Sequence, residues 1–267
     1  MLSMRFKDLT HLKHYFTSSE ARASQGIQVK VLEMQHYDAL ASIYCGFTFW
    51  WERYFLLGFL RELLGGEKLN VLDVGTGPGV VAMLLAELGH RVVGIDISER
   101  MVRRAEEEAG RLNFSSAGFC AGDAEELPFR SNSFDAVISR YLMALLPDPE
   151  RALAEQGRVL RPGGRVIIID SAPRPATLRK RAWRLVSLLL TALLERRNPR
   201  PLLKIYRHLP LRRRRRPEAD VELLAKLGLR VVDVRRIDIP WWNSLSSYLK
   251  YGWFQGQAFV VIAVKPG

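Results

Sequence analysis

Apolar and polar positions change register in blocks along residues 67–267, and each block predicts an element. Val71, Leu72 and Val74 form a short, partly β-branched run that predicts a buried strand. It runs into Gly75-Thr76-Gly77-Pro78-Gly79, a turn rich in residues without a Cβ. Val80 to Leu88 predicts the helix that follows, and Arg91 to Ile95 a second strand ending at the acid Asp96. AGDAEELPF, from Ala121 to Phe129, reads as a strand end leading into Asp123 and Ala124. Ser133 to Arg140 is another apolar strand. Pro147 to Leu160 predicts a helix with Pro149 in its first turn, and Leu160 to Asp170 a helix end, a Pro-Gly-Gly turn and a fifth strand. Glu218 to Leu227 predicts a helix, with strands at Arg230 to Ile239 and Gln257 to Lys265. Strands alternating with helices predict an α/β fold with a parallel sheet.

Residues 1–66 read as helices preceding this core, dense in aromatics at Tyr37, Tyr44, Phe47, Phe49, Trp50, Trp51, Tyr54, Phe55 and Phe59. A second departure lies between strands five and six. Thr177 to Arg197 predicts a helix whose polar stripe is Lys180, Arg184, Ser187, Thr191 and Glu195, against a wide leucine face. Pro240 to Gly256 is again aromatic, with Trp241, Trp242, Tyr248, Tyr251, Trp253 and Phe254. It suits an acceptor pocket, a lid, a dimer contact or a membrane-interface anchor.

Charge sharpens the division. The 267 residues carry a formal net charge of +12. From Ser171 onward there are 21 Lys and Arg against 6 Asp and Glu, whereas the first 170 residues hold 19 against 22. The core is therefore near neutral, and the basic character belongs to an insertion at 174–216 that peaks at Arg212 to Arg216. Three readings of that pentad stand: a solvated loop, a patch for acidic head groups, and a patch for nucleic acid. The helix at 177–197 fits either peripheral membrane contact, made through 177–216, or packing over the site or in a homodimer interface. A hydrophobic content of 48% marks a globular chain, and two cysteines, Cys45 and Cys120, have no metal-binding spacing. No continuous apolar signal core opens the N-terminus, and no segment reaches the ~20 apolar residues of a membrane span. The expected location is cytoplasmic, with or without contact at a membrane.

The glycine turn carries the chemistry. A dinucleotide site prefers GxGxxG with the pyrophosphate on the helix N-terminus, but here the spacing is GxGxG and Asp73 stands two residues before the first glycine. An acid so placed repels a pyrophosphate and suits a ligand with an ammonium group. S-adenosylmethionine (SAM) has an ammonium, a sulfonium and no phosphate. Asp96 suits a pair of ribose hydroxyls, and Asp123 the adenine amino group.

VLDVGTGPG, GIDIS, GDAEELPF, SFDAVISRYLMALLPDP and VLRPGGRVIIID stand in one order over Asn70 to Asp170. On these motifs the chain resembles the class I SAM-dependent methyltransferases, and within them the type-11 group of ubiquinone/menaquinone-biosynthesis C-methyltransferases and related small-molecule enzymes. The resemblance implies a Rossmann-like, seven-stranded, mostly parallel sheet with helices on both faces and an antiparallel last strand. It implies an N-terminal helical cap at 1–66, a methyltransferase core at 67–267 and a helical insertion before strand six. It also implies SAM as cofactor, held by Tyr37, Asp73, Gly75, Thr76, Gly77, Gly79, Asp96, Ile97, Asp123, Ala124 and Arg140. HYDALASIY, at His36 to Tyr44, is similar to the opening stretch of many type-11 members, with Cys45 where they carry a second acid.

The resemblance implies in-line methyl transfer to a small, apolar or aromatic acceptor. Such chemistry runs largely on positioning and a dry site, so it demands no protein nucleophile. His36, Tyr37, Tyr44, Arg140, Tyr141 and His208 are the candidates for a general base, and none carries a partner pattern that assigns it. Two other readings stand: an RNA or protein methyltransferase using the basic segment, and a SAM-binding regulator or assembly protein without turnover. The loop SRYLMALLPDP lacks the Asn-Pro-Pro-Tyr type of the base-methylating enzymes, which makes nucleic acid the weaker choice of partner.

Overall fold

A computed structural model describes residues 50–172, 210–212, 214–237 and 257–267. The seven strands form one sheet in the order β3-β2-β1-β4-β5-β7-β6. They are β1 (Asn70–Val74), β2 (Arg91–Asp96), β3 (Ala117–Ala121), β4 (Phe134–Arg140), β5 (Leu160–Ala172), β6 (Arg230–Ile237) and β7 (Gln257–Val264). β1 to β5 run parallel, whereas β7 pairs antiparallel with both β5 and β6. The helices are α1 (Trp50–Leu64), α2 (Val80–Glu87), α3 (Glu99–Arg111), α4 (Pro149–Val159) and α5 (Glu218–Lys226).

The strands are apolar on both faces because each face is covered. Along β4, Val137 enters one core with Leu72, Leu153, Leu224 and Phe259, while Ala136 and Ile138 enter the other with Leu60, Leu85 and Val260. This is the period-two alternation of a strand buried twice over. α1 and α2 cover one face; α4 and α5 cover the other. Helix starts follow local chemistry. Ser98 caps α3 by accepting from the Met101 N–H, and Asp148 caps α4 by accepting from the Arg151 N–H, with Pro149 in the first turn.

The elements expected from the pattern are present with ends moved by a residue or two. One differs in kind. Pro162-Gly163-Gly164 lies within β5 as an irregularity: Leu160 pairs with Phe134, and pairing resumes with Arg165 opposite Ala136. Gly163 has φ +78, and a Cβ on Gly164 would stand 2.8 Å from the Asp135 carbonyl oxygen, so the close approach of β4 accounts for that second glycine. The readings placed on residues 1–49, on the helix at 177–197 and on the aromatic stretch at 240–256 lie outside the described residues.

Candidate functional site

In the sheet order, β1 and β4 are neighbours whose connections leave in opposite directions along the sheet. Open α/β sheets bind ligands outside the carboxyl ends of the strands at such a point. The chain places Asp73 and the glycine turn at the end of β1, Asp96 and Ile97 at the end of β2, Asp123 and Ala124 after β3, and Arg140 at the end of β4. Ten of the eleven residues expected at the cofactor thus lie along one edge of the sheet. Tyr37 lies outside the described residues, as do His36, Tyr44 and His208.

The turn is folded onto β2. Gly75 and Thr76 both donate backbone N–H groups to the Ile95 carbonyl, at 2.8 and 3.0 Å. Gly77 N–H donates to Asp96 Oδ2 at 2.8 Å, and Ser98 N–H to Asp96 Oδ1 at 3.0 Å. Its three glycines answer to different needs. A Cβ on Gly75 would stand 2.9 Å from Leu142, and one on Gly79 2.9 Å from Ala105 and 3.0 Å from Phe119, whereas one on Gly77 would meet nothing within 4 Å. Gly77, at φ +54, therefore presents backbone to open space, where a ligand can approach.

Asp73 sits beneath this turn, almost fully buried, with Oδ2 accepting the Thr76 hydroxyl at 2.7 Å. Burial pushes its carboxyl up to about 6; the Thr76 hydroxyl and the Ala82 backbone oppose the rise, and Asp96 adds to it. Asp123 Oδ1 accepts the Glu125 N–H at 2.8 Å, which shapes the loop after β3. The Arg140 guanidinium stands 4.9 Å over the Tyr141 ring. Tyr141 adopts φ +57 and donates its N–H to the Ile169 carbonyl at 2.9 Å, so strained backbone sits beside the crevice.

The donor set discriminates between ligands. Asp96 and Asp123 stand at the ends of β2 and β3 with Asp73 buried beneath the turn, and the amide at the open tip of the turn already donates to Asp96. A pyrophosphate would meet that negative field. A ligand bearing cationic groups, ribose hydroxyls and an adenine amino group meets acceptors at each end, and the residues present fit SAM.

Several contributors escape the sequence. Leu142 seats the post-β4 loop on Gly75. Glu125 and Glu155 accept backbone N–H groups of Asp148 and Leu127. Arg158 donates to the carbonyls of Leu127 and Phe129. The Arg212–Arg216 pentad is also not one surface. Arg214 pairs with Glu222 and Arg215 with Glu218, while Arg216 is buried between Asp170 and Asp220. None of the three readings of the pentad holds for Arg216, whose guanidinium neutralises two buried acids. Acids that flank a run of arginines in sequence are too common a signal to have shown this.

Residues 66–196 match the family model described as a methyltransferase domain. The chain is 36% identical over 130 residues to the nocamycin O-methyltransferase of Saccharothrix syringae, covering 48% of this chain and 45% of that one. It is 35% identical over 123 residues to a demethylmenaquinone methyltransferase of Clavibacter sepedonicus, covering 45% and 47%. The chain thus spans about half the length of these curated relatives. Its fold is that of the crystal structure of a methyltransferase-like protein from Bacillus halodurans C-125, with a TM-score of 0.56 at 21% identity, over 79% of this chain and 99% of the other. Fold and site define an α/β protein with a candidate ligand crevice at the β1/β4 switch point. Residues 66–196 are thus a methyltransferase domain, similar to the class I SAM-dependent methyltransferases of the type-11 group, and the residues at the carboxyl ends of the strands fit SAM as its cofactor.

Proposed function

We propose that the protein transfers a methyl group to a small, apolar or aromatic acceptor bound beside the carboxyl ends of β4 and β5. The convergence of the glycine turn, Asp96 and Asp123 on one edge of the sheet carries this reading. The cofactor, when bound, supplies an electrophilic methyl on a sulfonium. Asp96 accepts from the ribose hydroxyls while keeping the Gly77 N–H, because each carboxylate oxygen has two lone pairs. Asp123 accepts from the adenine amino group. Asp73, under the turn, holds negative charge close to the cationic end. The loops after β1, β2 and β3 belong to the cofactor, so the open side of the crevice is that of β4 and β5, where Arg140, Tyr141 and Leu142 stand. Tyr37 contributes to the cofactor site in this proposal.

Calorimetric titration with SAM tests the reading. Micromolar binding is expected, weakened about ten-fold or more by Asp96→Ala, which corresponds to roughly 1.4 kcal/mol. A folded wild-type protein that binds no SAM would overturn it. Radiolabelled methyl transfer across a panel of quinols, phenols and amino lipids then identifies the acceptor class.

A further inference from the structure

Two loops border the crevice on either side of the switch point, and one buried side chain joins them. Glu125 lies between β3 and β4, two residues after Asp123, and is 4% exposed. Its backbone N–H donates to Asp123 Oδ1 at 2.8 Å, and its side-chain Oε1 accepts the Asp148 N–H at 2.8 Å. Asp148 ends the loop that leaves β4 at Arg140, and caps α4. Arg151, in the first turn of α4, closes the joint by donating Nε to the Glu125 carbonyl at 2.9 Å and Nη2 to Glu126 Oε2 at 3.1 Å.

The near end of the post-β4 loop is also tied to the cofactor side, since Leu142 fills the space over Gly75. The loop is thus clamped at both ends to segments that border the SAM crevice. Burying a carboxylate is costly unless it is hydrogen-bonded, and an apolar residue of similar size would fill the space without that cost. What an apolar residue lacks is the acceptor that fixes Asp148.

We propose that Glu125 is a positioning residue that ties the Asp123 loop to the loop at 141–148, so that filling the cofactor crevice orders the acceptor side. The proposal rests on the reading of Asp123 as an adenine-side residue. Ordering acts through backbone: ligand on Asp123 stiffens Glu125, Glu125 holds Asp148, and the Tyr141-to-Asp148 loop loses freedom. The acceptor then meets a preformed wall only when the methyl donor is in place.

Hydrogen exchange read by mass spectrometry, with and without S-adenosylhomocysteine, tests this on the full chain. In the wild type, saturating ligand is expected to slow exchange both at 122–127 and at 141–148. Glu125→Met keeps the volume and removes the acceptor. It is expected to keep protection at 122–127, lose it at 141–148 and weaken ligand binding on the order of ten-fold. Glu125→Gln keeps an oxygen for the Asp148 N–H and is expected to restore the linked protection, which a packing role alone would not distinguish from Glu125→Met. Ligand binding by the wild type without added protection at 141–148 overturns the proposal, whether or not the variants fold. So does a folded Glu125→Met that retains it. If the wild type binds no ligand, the cofactor-site reading falls with it; the titration separates that failure from loss of the coupling alone.

Discussion

Arg216 Nη1 donates to Asp170 Oδ2 at 2.8 Å, across 46 positions of sequence, with both side chains almost fully buried. The same guanidinium grips Asp220 with Nε and Nη2, at 2.8 and 2.6 Å, and stands 5.1 Å over the Phe259 ring. One cation thereby binds the end of β5, the first turn of α5 and β7. Burial raises the Asp170 carboxyl above its ordinary range; Arg216 opposes the rise and Asp220 adds to it.

Removing the cation should therefore cost more than removing an ordinary surface charge. Arg216→Met is expected to lose about 3–5 kcal/mol at neutral pH, because two buried acids are left uncompensated. The loss should shrink at about pH 5. Arg216 is what opposes the rise at Asp170, so without it the native state holds a proton on Asp170 that the unfolded state releases, and stability returns as pH falls. Thermal unfolding of both proteins at the two pH values checks this; equal losses at each would contradict it.

Gly79 and Gly89 offer a matched pair at φ +82 and +93. Alanine at either position meets the left-handed penalty of about 1–2 kcal/mol. At Gly89 nothing lies within 4 Å of the new Cβ, whereas at Gly79 Ala105 and Phe119 stand at or near 3 Å. Gly79→Ala is expected to cost about 1–3 kcal/mol more than Gly89→Ala, the usual range for overpacking. It should also weaken SAM binding, since Gly79 ends the cofactor turn. Gly89, at the opposite edge of the sheet, should leave affinity unchanged. Chemical denaturation and calorimetry on the two variants read both effects.

Asp73 makes the ligand-free fold sensitive to pH. Its folded value of about 6 exceeds the ordinary 3.8, so the stability it contributes is present at low pH and is lost as pH rises through about 6. Between about pH 5 and pH 6 this amounts to about 1 kcal/mol. Asp73→Asn should remove that slope, because the amide oxygen still accepts the Thr76 hydroxyl and no charge is buried. A cationic ligand reverses the preference: SAM affinity should strengthen as pH rises through about 6 in the wild type and stay flat in Asp73→Asn. Denaturant unfolding and titration across pH 5–7.5 measure the two trends.

Arg158 shows how the adenine-side loop is held from outside. Its fork donates to Glu155, to the Leu127 carbonyl at 2.9 Å and to the Phe129 carbonyl at 2.8 Å. Lysine reaches one such acceptor at a time, not three. Arg158→Lys is expected to speed amide exchange at 127–131 by roughly five- to ten-fold, the worth of one or two net hydrogen bonds, with exchange in β1 and β5 unchanged.

Much of this was legible in local pattern. Strands buried on both faces announce themselves as apolar runs. A turn that must admit a ligand announces itself as glycine, so β1, the turn, Asp96 and Asp123 could be placed in order before any coordinates. Arg216 shows what could not. Among five consecutive arginines nothing local marks the one that turns inward, because its partners come from β5 and from a helix that packs only once the sheet has formed. Glu125 is the same case: AEELPF shows an acid in a loop, while the amide it holds lies 23 positions away.

The sequence by itself determined the α/β alternation, the cofactor turn and the acids at the strand ends, because these depend on contacts within one strand-turn-helix unit and on the charge of the ligand. Only the tertiary structure decided which charges are buried, which loops are tied together and why Gly75 must stay bare against Leu142. Those choices arise where segments distant in the chain compete for one low-dielectric space, and there each polar group must find its partner in three dimensions.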